Sequence, residues 1–411
     1  MSPDAPRPVV EAAGDDGFDA WAEAVARQFH EDPLTARDRA WMRDVPPDRR
    51  WCVRESGQVV GTTGVLSLEL GVGGGVTLPC AGVTTVGVAQ THRRRGLLRA
   101  LMAAALDDAR SRGEPVAALF ASESAIYPRF GFGPTAAIHT VRLERAHARF
   151  VAPVDVGLVE PLAEGDARRA LPPILDAARQ RTPGLVARTE AMWATWLRHG
   201  DPADEVDGCS GRRLVLVPGR GYAAYRVRPV WRDGLPDGEV RISELVALDA
   251  DAEQALWQHC TDVDLTTRVV AAMRPGDDVL PLRLVDPLRV STVPLSPLYT
   301  ALLDVPRALS ARPAAADGAE GAVTLAVADP TGHQDGTLRV ESDGGRLSCA
   351  WTRERAQLST SIDVLAACWL GGSTLTRWRD AGRLVEHDPG AARRLDSMLA
   401  VERAPWTPFE F

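Results

Sequence analysis

The residues best suited to chemistry form the run Val86-Gly-Val-Ala-Gln-Thr-His-Arg-Arg-Arg-Gly-Leu-Leu-Arg99. An apolar strand leads into a basic, glycine-punctuated turn and then directly into a helix. That order aims the unpaired N–H groups of a turn and a helix start at one point and rings it with guanidinium groups. Such a place suits a pyrophosphate. Val86, Gly87 and Val88 would offer backbone groups to an extended ligand arm, while Arg94, Arg95, Gly96, Leu97, Leu98 and Arg99 would hold the phosphates. A basic run at a helix N-terminus opposes the helix dipole unless an anion sits there, which weighs against a merely solvated helix start. Tyr127 is the second candidate, in Ala121-Ser-Glu-Ser-Ala-Ile-Tyr-Pro-Arg-Phe-Gly-Phe132. It follows a buried strand by a few residues, within reach of a ligand held in a sheet crevice. A phenol with a pKa of about 10 suits protonation of a basic leaving thiolate. A packed aromatic is the plainer alternative.

These residues need a scaffold, and residues 1–150 read as one α/β unit. The pattern predicts a helix over Trp21–Phe29, strands over Trp51–Arg54 and Val59–Leu70, a turn at Gly71–Gly75 and a short strand Val76–Leu78. A strand Gly82–Val88 enters the basic turn. A helix Leu97–Arg110 leaves it, with Leu97, Leu98, Leu101, Met102, Ala105 and Leu106 recurring at the helical period. Pro115–Ala121 reads as a buried strand and Ser122–Phe132 as a brief helix carrying Tyr127. The glycine cluster at 71–75 lies between strands with no helix after it, so it reads as a hairpin turn and not a nucleotide loop.

A second unit, residues 151–290, carries helices over Arg168–Gln180 and Glu190–His199 and strands near Arg213–Val217 and Gly221–Val227. A strand Val240–Leu248 and a helix Ala252–Thr261 then repeat the strand-then-helix order without a basic turn. In the third unit, residues 291–411, Ala311–Gly321 is a loop, and Val323–Ala328, Gly336–Glu341 and Arg346–Trp351 alternate like antiparallel strands. Helices follow over Ser361–Trp369, Leu375–Asp380 and Ala391–Leu399. The tail Pro405-Trp-Thr-Pro-Phe-Glu-Phe411 is aromatic and stiffened by proline, so it is expected to dock.

Composition removes several function classes. The chain has 411 residues, enough for two or three domains, and its 45% apolar and 25% charged residues describe a soluble globular protein. No apolar run reaches the roughly 18 residues of a membrane span, and the start lacks a secretory pattern, so a cytoplasmic location is expected. A net charge of -8 argues against nonspecific nucleic-acid binding and suits a cationic small molecule. The six cysteines form no Cys-x-x-Cys pair, so buried reduced thiols are expected and no metal site. There is no lysine, which excludes a Walker-type phosphate loop and a pyridoxal Schiff base.

The two segments together resemble the acetyl-CoA-dependent GNAT N-acetyltransferases. More narrowly, Thr91–Arg99, with Ala121-Ser-Glu and Ile126-Tyr-Pro-Arg-Phe-Gly-Phe-Gly-Pro134, is similar to the enhanced intracellular survival (Eis) acetyltransferases of actinobacteria. The broad GNAT pattern is Arg/Gln-x-x-Gly-x-Gly/Ala. Arg93-x-x-Gly96 fits it, while Leu98 occupies its last place, in agreement with the Eis version. The resemblance spans the chain and implies an N-terminal GNAT fold, a central GNAT-like fold without the cofactor motif, and a C-terminal domain like sterol carrier proteins.

It further implies acetyl-CoA contacts at Val86–Val88, Arg94–Arg99, Ser122 and Glu123, and Tyr127 as general acid for the departing thiolate. The carboxylate of Phe411, threaded back into the active site, is implied as general base. Glu31, Trp41 and Glu410 match pocket positions that would receive a cationic amine. Direct attack in a ternary complex on aminoglycoside-like polyamines follows by resemblance, as does a hexamer. A protein lysine or small polyamine is the rival substrate within the class. A non-catalytic acyl-CoA or lipid-binding protein is the rival from another class.

Overall fold

The computed structural model describes residues 8–31, 33–152, 155–198, 208–315, 318, 320–343 and 345–411. Three large sheets organise the described residues, beside a two-stranded ribbon of Trp231–Arg232 and Leu235–Pro236. The first takes β1 (Glu11–Ala12), β2 (Arg50–Glu55), β3 (Gln58–Gly73), β4 (Val76–Val88), β5 (Val116–Phe120) and β6 (Phe132–Ala136). Between β5 and β6 lies the distant strand Leu298–Leu302, antiparallel to both. Helices α1 (Phe18–Phe29) and α3 (Leu97–Ser111) cover opposite faces, and α2 (Ala36–Met42) extends the first of these layers. Trp21, Ala22 and Val25 of α1 pack with Leu78 and Cys80 of β4, whereas Met102, Ala105 and Leu106 of α3 pack with Ala81 and Val83. The alternation along β4 follows from the two-residue period of a strand buried on both sides.

β4 is one strand, where the sequence pattern divides it at Pro79 into Val76–Leu78 and Gly82–Val88. Pro79 faces Glu69 on β3, and the parallel ladder to β5 begins only at Cys80. Proline therefore sits where β4 has a neighbour on one side alone and costs no bond on the other. The turn between β3 and β4 falls at Gly74 and Gly75, both at positive φ, so the glycine cluster is a hairpin turn.

The second sheet takes β7 (Ile138–Glu144), four further strands (Arg213–Val217, Gly221–Arg228, Gly238–Ala247 and Thr266–Pro275) and the edge strands Val290–Pro294 and Glu160–Pro161. Its helices are α4 (Glu164–Arg181), α5 (Glu190–Leu197) and α6 (Ala250–Thr261); the expected end of α5 at His199 lies outside the described residues. Strands Gly238–Ala247 and Thr266–Pro275 are parallel and joined by α6, as β4 and β5 are joined by α3. Sheet membership crosses residues 150 and 290: β7 serves the second sheet and Leu298–Leu302 the first.

The third sheet orders Leu347–Thr352, Gly336–Ser342, Gly321–Ala328, Leu358–Ser361 and Leu384–Glu386. Its helix Ile362–Cys368 lies against the first sheet, where Thr135 donates to the Ala366 carbonyl at 2.9 Å and Trp369 Nε1 to Thr300 Oγ1 at 2.9 Å. All six cysteines are buried as free thiols. No helix among the described residues is long and apolar enough to cross a membrane.

Candidate active site

The ladder between β4 and β5 stops at Gly82 and Ala118, yet β4 runs on to Val88 and β5 to Phe120. Beyond that point the two strands part, leaving a slot through the sheet. A bulge in β4 lies beside it: Thr85 and Val86 face the single residue Thr63 on β3, and Thr85 has φ of 51°. Bulges re-aim backbone groups and free them from the ladder, here at the mouth of the slot.

The basic turn leaves β4 at Val88. Arg94 (φ 62°) and Gly96 (φ 83°) are both left-handed, and α3 starts with no side-chain cap and no acidic residue in its first turn. Concave backbone with an uncapped 15-residue helix behind it is an anion cradle. Among the described residues the side chains of Arg93, Arg94 and Arg99 have no partner. Arg95 is different: it forms a fork to Glu55 at 2.7 and 3.0 Å, and His92 stands 3.3 Å from the same carboxylate. Glu55 thus braces the turn, and the unpaired arginines carry its free charge. Leu98, the departure from the broad motif, packs against the core of the α3 face, as do Val86 and Ile126.

α6 shows the contrast. Its cap Asp249 accepts from the Ala252 N–H at 3.0 Å, and Asp251 and Glu253 follow in its first turn. An anion would meet three carboxylates there. The parting between Gly238–Ala247 and Thr266–Pro275 is filled by buried Arg274, which donates to the Leu245 carbonyl at 3.0 Å and pairs with Glu253 and Asp278.

Tyr127 sits in the seven-residue 3₁₀ helix Ser124–Phe130 on the α3 face, with its ring edge-on to Phe132 at 6.1 Å. Among the described residues its hydroxyl has no hydrogen-bond partner. Burial pushes the phenol above its usual pKa, and the nearby Glu123 charge adds to the shift. Phe411 belongs to the core on the opposite face. Its ring meets Phe120 edge-on at 5.5 Å, and a Cβ on Gly82 would stand 3.2 Å from it. The last residue of the sequence therefore lies where the ladder ends.

One cleft of 2120 Å³ takes in Val86–Val88, Arg94–Arg99, Ser122, Glu123, Tyr127, Glu31, Trp41, Glu410 and Phe411. Tyr127 and Phe411 reach it from opposite faces of the sheet. Glu31 follows the left-handed cap of α1, and Trp41 stands on α2 behind a Thr35–Asp38 capping box. Glu410 opens onto the cleft, and the surrounding protein pushes its carboxyl above the usual range. Sequence reasoning missed Gln28, Phe120 and the bracing Glu55. Gln28 accepts from Thr62 Oγ1 at 2.8 Å and lies against Gly87, where even a Cβ would clash. Only the fold brings these residues to the site, and no local pattern marks them.

Comparison with known proteins agrees with this fold. A profile for an acetyltransferase (GNAT) domain matches residues 9–135, another of the same description matches 184–299, and a sterol carrier protein domain matches 305–408. A Streptomyces avermitilis protein described as an uncharacterized N-acetyltransferase is 34% identical over 98% of this chain and 99% of its own. The N-acetyltransferase Eis of Mycobacterium bovis is 35% identical over 90% of this chain and 92% of its own. The structure of Eis1 from Mycobacterium abscessus superposes with a TM-score of 0.85 at 29% identity, covering 98% of this chain and 100% of that one. A GCN5-related N-acetyltransferase from Anabaena variabilis, at 19% identity and a TM-score of 0.84, shares the fold.

Proposed function

The chain belongs to the Eis-like N-acetyltransferases of the GNAT class, and from that premise we propose that it transfers the acetyl group of acetyl-CoA to primary amines of aminoglycoside-like polyamines. The observation that carries this reading is the meeting of Tyr127 and Phe411 in one cleft with the uncapped basic turn. The turn and α3 take the pyrophosphate through backbone N–H groups and the guanidinium groups of Arg94 and Arg99. The freed edge of β4 from Val86 to Val88 holds the arm behind it, with Ser122 and Glu123 opposite.

In the ternary complex the amine nitrogen bonds to the thioester carbon as the C–S bond breaks. Backbone N–H groups near Val88 polarise the carbonyl. Tyr127 gives its phenolic proton to the departing sulfur, and the Phe411 carboxylate takes the proton lost by nitrogen. Glu31 and Glu410 attract the cationic amine and Trp41 gives it a flat wall. An unperturbed terminal carboxylate has a pKa of about 3.5. It serves as base because it is set in a protein-lined cleft and the bound amine is already partly neutral.

No metal enters this scheme. A protein lysine or small polyamine is the rival acceptor. A binding-only role gives way to catalysis, because the chain's family is one of N-acetyltransferases. A cytoplasmic hexamer belongs to the same proposal and is checked by light scattering. The decisive experiment follows CoA release with an aminoglycoside present, for the chain as it stands and for one extended beyond Phe411. The native chain should release CoA and the extended one should lose at least about 10²-fold in turnover. A fully active extended chain removes the terminal base.

A further inference from the structure

The parting in the second sheet is occupied by Arg274, and the structural use of that sheet lies beside it. Its strand Thr266–Pro275 carries a bulge between Ala271 and Arg274, where Met273 has φ of 54°. The re-aimed Met273 carbonyl accepts the indole N–H of Trp406 at 2.6 Å, and the Trp406 backbone N–H donates to Pro183 O at 2.9 Å. Three residues further on, Phe409 lies on the Arg188 guanidinium at 4.1 Å.

Arg188 is enclosed. Trp193 and Trp196 of α5 stand at 4.4 and 4.7 Å from it, and its edge is forked to Glu244 at 3.3 and 2.8 Å. Glu244 also accepts from the Tyr222 hydroxyl. The edge of the guanidinium is thus spent on a carboxylate and its faces on rings, a division that planar arginine allows and lysine does not. Phe409 is 9% exposed and Thr407 0%. Only Glu410 separates Phe409 from Phe411, so the terminal Cα cannot stray more than about 7 Å from the last anchored one.

We propose that the central unit is a clamp for the C-terminal tail, with the Met273 carbonyl and the Arg188 guanidinium as its two holding points, and that Arg188 is thereby the positioning residue for the Phe411 carboxylate. The proposal rests on the terminal-base reading above.

Removing Arg188 would leave Glu244 buried and uncompensated and could unfold the unit, so the test varies the tail. Phe409→Leu keeps apolar volume and removes the π face; Phe409→Trp keeps the face. Two quantities are read on the full chain: release of free phenylalanine by a carboxypeptidase, and steady-state acetyl transfer. Phe409→Leu should release Phe411 and lose kcat each by about tenfold or more with the acetyl-CoA KM unchanged, since small misplacement of a reacting group costs on that scale. Phe409→Trp should match the native chain in both. The clamp is overturned if Phe409→Leu is digested no faster than the native chain, or if Phe409→Trp is as impaired as Phe409→Leu. Faster digestion with undiminished kcat keeps the clamp and overturns the terminal base.

Discussion

At the scale of single residues, the cleft brings unpaired arginines on one turn together with a buried phenol and a chain-terminal aromatic. Burial disfavours the Tyr127 phenolate, so the raised pKa keeps the proton-donating form populated throughout the neutral range. Turnover should show no loss from Tyr127 ionisation below a pH of about 10. Tyr127→Phe should lower kcat by about 10²-fold while leaving the acetyl-CoA KM unchanged. Thiol release measured from neutral to alkaline pH reads both; an alkaline fall that starts near neutrality, or an unimpaired phenylalanine variant, removes Tyr127 from the chemistry. That Val86–Val88, the arginine turn and Tyr127 would share a cleft was legible in the sequence because each stands in a short run of marked composition. Glu55 was not, because its role is to pair with Arg95 across 40 positions of sequence.

Among the elements, α3 and α6 differ in how their N-termini are satisfied. Both helices join parallel strands, yet only α6 spends its N-terminus on its own side chains. Gly96 is the hinge of that difference, since φ of 83° is open to glycine and strained for any other residue. Gly96→Ala should cost about 1–2 kcal/mol of local strain and raise the acetyl-CoA KM about tenfold, with kcat at saturation retained. An unchanged KM would mean that the cradle does not hold the phosphates. The helices read from the sequence were found within about four residues, from Leu97–Ser111 to Ala391–Met398, whereas β6, β7, Thr266–Pro275 and Leu298–Leu302 were not foreseen, their pairing partners being distant in the chain. The division of β4 at Pro79 failed for a reason no local pattern carries: proline is tolerated there because β5 starts one residue later.

Across the whole molecule, the third unit is fastened to the first through glycine. A Cβ on Gly133 would stand 1.9 Å from the Asp363 carbonyl oxygen and 2.7 Å from the Ala367 nitrogen, both backbone atoms of the packed helix. Gly133→Ala should therefore cost about 3 kcal/mol and lower the thermal midpoint by about 5 °C or more. Gly165→Ala, in open space on α4, is the control and should not lower it. Equal midpoints for the two variants would show that the helix gives way at no cost. The three-unit plan was legible in strand and helix order. The exchange of strands between units was not, because pairings such as Leu298 with Phe120 join segments far apart in the chain.

That exchange has a consequence for synthesis. β5 cannot pair on its outer side until Leu298–Leu302 has been made, 182 residues after Phe120 (302 minus 120). At the usual 5–20 residues per second, roughly ten to forty seconds pass with β5 exposed at an open edge. The nascent N-terminal unit must wait, half-sheeted, for a piece of chain that the ribosome supplies only after the central unit is complete.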